Sequence, residues 1–328
     1  MIINLFKTNQ TTGLFFLLLF QVLIFINPML HRDIVLPSFQ PNIFFDLIFG
    51  GWLHYKILNL LISFVLLLMQ ALLFNLFIIQ INLLNKPTYL PAFFFLIFNA
   101  ALPQYLYINP PAVANIFIFL SLSLLWQSSQ SSSRALSLFF ASLFLSLGSM
   151  FYSPLLFLFL WILISNITLA NSTLKDFLIL LAGFCIPYLY TFTFYVWTNH
   201  LDVFFTQVFA APVGWVNQFP EFSTLEILLL LTLFLLVVFS FYQYITSAFL
   251  YKLIQRKFYR VLFYLFSIIL IASFFYNIAY KEHLLTIVFP CAVFLSSYFL
   301  KIKKMWMADV VILLILSLLF TVQFQFYY

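Results

Sequence analysis

The chain has 328 residues, 65% of them hydrophobic and only 7% charged, with a mean hydropathy of +1.13. Soluble domains carry about 25% charged residues, so a water-soluble globule is excluded. Apolar stretches of about 20 residues point to membrane helices rather than to a barrel of short alternating strands. The net charge of +6 reads as a topology signal, and nothing in its distribution points to nucleic acid.

Hydropathy predicts an all-α, polytopic transmembrane bundle with about eleven spans, near residues 13–28, 57–83, 90–104, 111–126, 135–150, 154–170, 177–197, 225–250, 260–277, 284–300 and 308–326. Residues 1–328 read as one integral membrane domain with no soluble module. The first span is followed by NPMLHRD rather than by small residues, the mark of a retained signal anchor. An inward N-terminus places Lys7, Lys86, Arg134, Lys175, Lys252, Arg256, Lys257, Arg260, Lys301, Lys303 and Lys304 in cytoplasmic segments, eleven of the fourteen basic residues. Only Arg32, Lys56 and Lys281 then fall outside, as the excess of Lys and Arg in cytoplasmic loops requires. The C-terminus is expected on the outer side.

This topology sends all four histidines and six of the eight acids outward. The two inner acids, Asp176 and Asp309, each adjoin a cytoplasmic lysine segment and read as solvated loop or helix-start charges. The first outer loop, 28–56, contains His31, Arg32, Asp33, Asp46 and His54. Its second half predicts an interfacial helix with Phe44, Phe45, Ile48, Phe49 and Trp52 on one side. The second outer loop, 198–224, carries His200, Asp202 and Glu221 and reads as a surface-lying or re-entrant segment. Lys281, Glu282 and His283 stand together at the outer start of the tenth span.

Asp33 is the first catalytic candidate, because a carboxylate at a membrane surface can accept a hydroxyl proton or hold a divalent cation. A local pair with Arg32 or His31, or a solvated charge that helps fix topology, is the alternative. Lys281 and His283 suit a lipid phosphate held by point charge, and interfacial snorkelling with Lys281 paired to Glu282 is the alternative. His200, Asp202 and Glu221 are secondary candidates, best explained as loop polarity. The amides Asn59, Gln70, Asn75, Gln80 and Asn115 read as interhelical hydrogen-bonding groups. Cys185 and Cys291 read as small hydrophobes with no metal spacing.

KEHLLTIVFPCAVFLSSYFL (281–300) resembles the segment of GT-C-type, polyprenyl-phosphate-sugar-dependent glycosyltransferases in which an outer basic residue leads into a proline-containing helix. Residues 110–164 are similar to consecutive helices of that superfamily, and a first outer loop with an acid and an interfacial helix adds to the likeness. The chain also resembles short Phe-rich integral membrane proteins of Bacteroidetes in a domain-of-unknown-function family. The GT-C resemblance implies transfer of a sugar from a polyprenyl-phosphate donor to an envelope acceptor at the periplasmic face of a bacterial inner membrane. It implies Asp33 as base or metal-binding acid, Asp46 as its assistant, and Arg32, Lys281 and His283 as phosphate-holding groups. A divalent metal ion is a candidate cofactor, and envelope proteins are candidate partners. The sequence departs from the pattern in three places: Asp33 lacks an acidic neighbour, YINPP (107–111) replaces a Thr-x-Asp type motif, and Tyr152 and Ser153 replace a basic residue. These departures suit the alternative of a non-catalytic membrane scaffold. A lipid or solute transporter is a third class.

Overall fold

In the computed structural model the described residues are 2–7, 11–30, 43–52, 55–130, 133–170, 172–205, 222–273, 275 and 280–327. His31, Arg32, Asp33, His54 and Glu221 lie outside them. Described residues form α-helices joined by short turns and 3-10 segments: α1 (Ile2–Lys7), α2 (Thr11–Leu30), α3 (Ile43–Phe49), α4 (Lys56–Gln80), α5 (Leu90–Ala100), α6 (Pro110–Ser128), α7 (Arg134–Phe151) and α8 (Leu158–Leu169). There follow α9 (Leu174–Trp197), α10 (Leu201–Phe205), α11 (Thr224–Ser247), α12 (Leu253–Ser273), α13 (Tyr280–His283), α14 (Val288–Lys301) and α15 (Met305–Tyr327).

Among the described residues, eight helical segments are long and apolar enough to cross a membrane: Thr11–Leu30, Lys56–Gln80, Pro110–Ser128, Arg134–Phe151, Leu174–Trp197, Thr224–Leu250, Leu284–Lys301 and Met305–Tyr327. Three of the spans expected from hydropathy coincide with helices outside this set. With 11 residues, α5 rises only about 16 Å, roughly half the hydrocarbon thickness. It is apolar all round and buried on nearly every side, as a central helix must be. The segment Ser153–Leu169 is likewise short. The α12 helix is long enough, but its first two turns carry Gln255, Arg256, Lys257 and Arg260. Its core face is nonetheless tied in, because the buried Trp161 indole of α8 donates to the Val261 carbonyl at 3.0 Å.

Polar contacts sort the helix ends into two sets. At one end the Ile3 amide donates to Asp309 (3.0 Å), Gln255 Nε2 donates to Asn85 Oδ1 (2.7 Å), Lys257 donates to the Leu169 carbonyl (2.9 Å) and Lys301 donates to Ser247 (2.6 Å). At the other, Asn115 Nδ2 donates to the Leu285 carbonyl (2.9 Å) and Tyr152 meets His283 (3.3 Å). The first end gathers the eleven cations expected to cluster, and the second holds Lys56 and Lys281 among the described residues.

Both acids of the cation-rich end have partners, and Asp176 is the helix-start charge expected of it. Asp176 is 8% exposed, pairs with Arg134 at 3.0 Å and closes a capping box with Thr173 at the start of α9. Arg134 also donates to Asn166 Oδ1 at 3.0 Å. Asp309 accepts the N-terminal amide of α1, whose Ile3 and Phe6 are buried, so a carboxylate meets the positive end of a helix. The α3 helix forms within the expected stretch, and the apolar residues on its face are buried unequally. Phe45 is fully buried against Ile108 and Val113, while Ile48 and Trp52 are exposed.

Candidate functional site

Between α11 and α12 lies a cavity of about 450 Å³, walled by Leu233, Phe234 and Val237 on one side and by Phe266, Ile269 and Leu270 on the other. Ile287 and Cys291, with Ala101 and Tyr105, form its back. These two helices are sequence neighbours that do not pack along their length. Towards the cation-rich end they close at Phe241, whose ring stands 5.0 Å from that of Phe266 and 4.2 Å from that of Phe294. Phe234 is 54% exposed at the bundle surface, so the cavity opens sideways as a slot on the face that a bilayer would cover.

At the other end of the slot the sequence builds a polar rim. Ser223 and Glu226 close a capping box at the start of α11, in which Ser223 Oγ accepts from the Glu226 amide and Glu226 accepts from the Ser223 amide. The same carboxylate meets Lys281 Nζ at 3.3 Å, and that ammonium lies 4.6 Å from the centroid of the Phe222 ring. The pair is partly buried, with side-chain exposures of 18% and 11%. Lys281 therefore has a partner outside its own segment, and the connection to Glu226 joins α13 to α11 across the slot.

His283 stands beneath this rim, in the wall of the slot, immediately ahead of the Leu284–Lys301 span. Its Nε2 lies 3.0 Å from the Ile269 carbonyl and therefore carries the proton, which leaves Nδ1 to accept from the Tyr152 hydroxyl at 3.3 Å. Burial pushes its pKa down to about 4, against a smaller upward effect of the Ile269 hydrogen bond. The ring is neutral at physiological pH. As it stands here it supplies shape and hydrogen bonding, not the cationic phosphate contact expected from the sequence.

The other expected residues scatter. Asp46 is exposed on α3, on the same helix as Phe44, whose ring is 5.9 Å from that of Phe151. Phe151 is the residue before Tyr152, so α3 and His283 meet adjacent residues at the end of α7. His200 and Asp202 are exposed where the chain leaves α9 through Asn199 (φ 57°), and neither lines the slot. Among the described residues no group of three or more His, Cys, Asp or Glu side chains is placed to hold a metal ion. Asp33, the residue on which the metal expectation rested, lies outside them, as do Arg32 and Glu221.

Three residues that the sequence reading passed over belong to this site. Glu226 had a signal, since Ser-x-x-Glu before an apolar run is a helix-start signature, but its pairing with Lys281 55 positions away had none. Tyr152 counted only as a departure from a motif, and Phe222 was one aromatic among 48 phenylalanines.

Comparison with curated proteins and with solved structures gives no match. Residues 43–327 match the sequence model of a family of unknown function, DUF6427, and the chain belongs to that family.

Proposed function

We propose that the slot between α11 and α12 receives the hydrocarbon chain of a polyprenyl-phosphate-linked sugar, and that the protein transfers this sugar as a GT-C-like membrane glycosyltransferase. The observation that supports this reading is an apolar, laterally open cavity of about 450 Å³ lined in part by Phe222, with the Lys281 ammonium 4.6 Å from that ring. Ligand pockets of this size are typically apolar with few orienting polar groups. In this reading eleven helices cross the membrane, α5, α8 and α12 included, with the N-terminus inside and the slot in the outer leaflet. Asp33 takes the proton of an acceptor hydroxyl, or would hold a divalent cation that makes that hydroxyl more acidic, with Asp46 assisting. The hydroxyl oxygen bonds to the anomeric carbon as the carbon–oxygen bond to phosphate breaks. The polyprenyl phosphate leaves with the electron pair, stabilised by Lys281 and Arg32.

The test is titration of the detergent-purified protein with a long-chain polyprenyl phosphate. Lys281→Met is expected to weaken binding about tenfold or more, as loss of a charge-assisted contact does, and Val237→Trp is expected to block it by filling the slot. Asp33→Asn should bind normally and fail in sugar transfer. Wild-type binding by both Lys281→Met and Val237→Trp overturns the reading. A second reading, a non-catalytic scaffold for envelope partners, is favoured by the engagement of Lys281 with Glu226 and of both His283 nitrogens. It is the one left standing by that result.

A further inference from the structure

We propose that the cation-rich end of the bundle carries a binding site for anionic phospholipid headgroups, formed by Lys252, Arg260, Lys303 and Lys304. Two segments, 251–260 and 301–306, contain seven of the chain's fourteen Lys and Arg residues. No Asp or Glu occurs between residues 227 and 281 or between 283 and 308, so neither segment supplies its own counter-charge.

The two segments are locked together. The Lys301 ammonium donates to Ser247 Oγ at 2.6 Å and stands 4.5 Å from the centroid of the Tyr251 ring. The Tyr251 hydroxyl meets Ser297 Oγ at 2.7 Å. Gln255 accepts from the Lys252 amide at 3.0 Å and donates to the Asn82 carbonyl and to Asn85 Oδ1, both at 2.7 Å, which fixes the start of α12. Arg256 and Lys257 also reach into the protein, to the carbonyls of Tyr251 and Leu169. Lys252, Arg260, Lys303 and Lys304 are exposed.

Beside these exposed cations stand large apolar side chains that are themselves exposed: Phe249, Leu250, Leu253 and Trp306, each more than 60% accessible. An aromatic and aliphatic collar at headgroup depth with cations beside it is the pattern of an interfacial lipid contact. Cations that only set topology need no fixed arrangement. Here the two segments that carry them are fixed by the Lys301–Tyr251 and Tyr251–Ser297 contacts and by Gln255. The ligand chemistry is a phosphate monoanion or diester, and the apolar collar selects the lipid source over free phosphate.

Native mass spectrometry of the detergent-released protein tests this with phosphatidylglycerol and phosphatidylcholine of identical chains. Phosphatidylglycerol is expected to bind at least about tenfold more tightly. Each headgroup-level cation is worth roughly fivefold in affinity, so Lys252→Gln/Lys303→Gln/Lys304→Gln together should lower phosphatidylglycerol binding about a hundredfold. The matching triple arginine variant should retain it, and Lys175→Gln, at the same end but on α9, should leave it unchanged. Equal retention of the two lipids by the wild-type protein overturns the proposal even where the triple glutamine variant fails to fold. Displacement of bound lipid by millimolar inorganic phosphate overturns the lipid assignment in favour of a free-phosphate site.

Discussion

The Lys281–Glu226 pair makes a quantitative prediction about how the slot is held. At 3.3 Å and an effective dielectric of about 20, two unit charges attract by about 5 kcal/mol. Removing them from water offsets most of this, and the partial exposure of both side chains admits further screening. The net coupling should be about 1–2 kcal/mol. Glu226→Gln keeps an oxygen to accept from the Ser223 amide, so the helix start survives while the charge goes. Lys281→Met keeps an apolar stem over Phe222. A double-mutant cycle by reversible SDS-titration unfolding in mixed micelles should give a coupling of about 1–2 kcal/mol between the two, weakened by salt. Coupling below about 0.3 kcal/mol would refute the pair as a clasp across the slot. Glu226→Gln has a second consequence under the lipid-phosphate reading. Release of Lys281 should tighten polyprenyl-phosphate binding even as it lowers stability, whereas a purely structural pair lowers stability alone.

Three further outcomes are expected. The folded-state pKa of His283, about 4, lies below its ordinary 6.5, so the unfolded chain binds the extra proton first. Stability from this group is complete above pH 6.5 and is lost as pH falls towards 4, by about 1–2 kcal/mol between pH 6.5 and 5; His283→Gln should flatten that slope in unfolding titrations, and an unchanged slope would show another group to be responsible. A Cβ at Gly183 in α9 would collide with Ser142 Oγ and the Phe139 carbonyl of α7, whereas one at Gly51 meets nothing within 4 Å. Gly183→Ala should therefore cost about 1–3 kcal/mol in the same assay and Gly51→Ala almost nothing. Asp176→Ala removes both the partner of Arg134 and half of a capping box, and should destabilise by about 2–4 kcal/mol; Asp176→Asn should recover the part that belongs to the cap.

A multi-pass helical membrane protein follows from composition alone, because 65% apolar residues in long runs satisfy their backbone in lipid as helices. The sequence also determined which cations keep company, since the charges follow the ends of the apolar runs, and it located α3, where apolar residues recur at helical spacing. Tertiary structure decided what local pattern does not encode. Helices α5 and α8 proved shorter than their apolar runs suggest, since hydropathy measures apolar length and not where a helix stops. Asp176 and Asp309 were given partners by chain segments 42 and 306 residues away. His283, expected with Lys281 as a phosphate-holding group, is buried and hydrogen-bonded to the Ile269 carbonyl and the Tyr152 hydroxyl, which come from distant parts of the chain. The slot itself exists only because α11 and α12, adjacent in sequence, are held apart by packing against α14, a relation between three surfaces that no single stretch of residues contains.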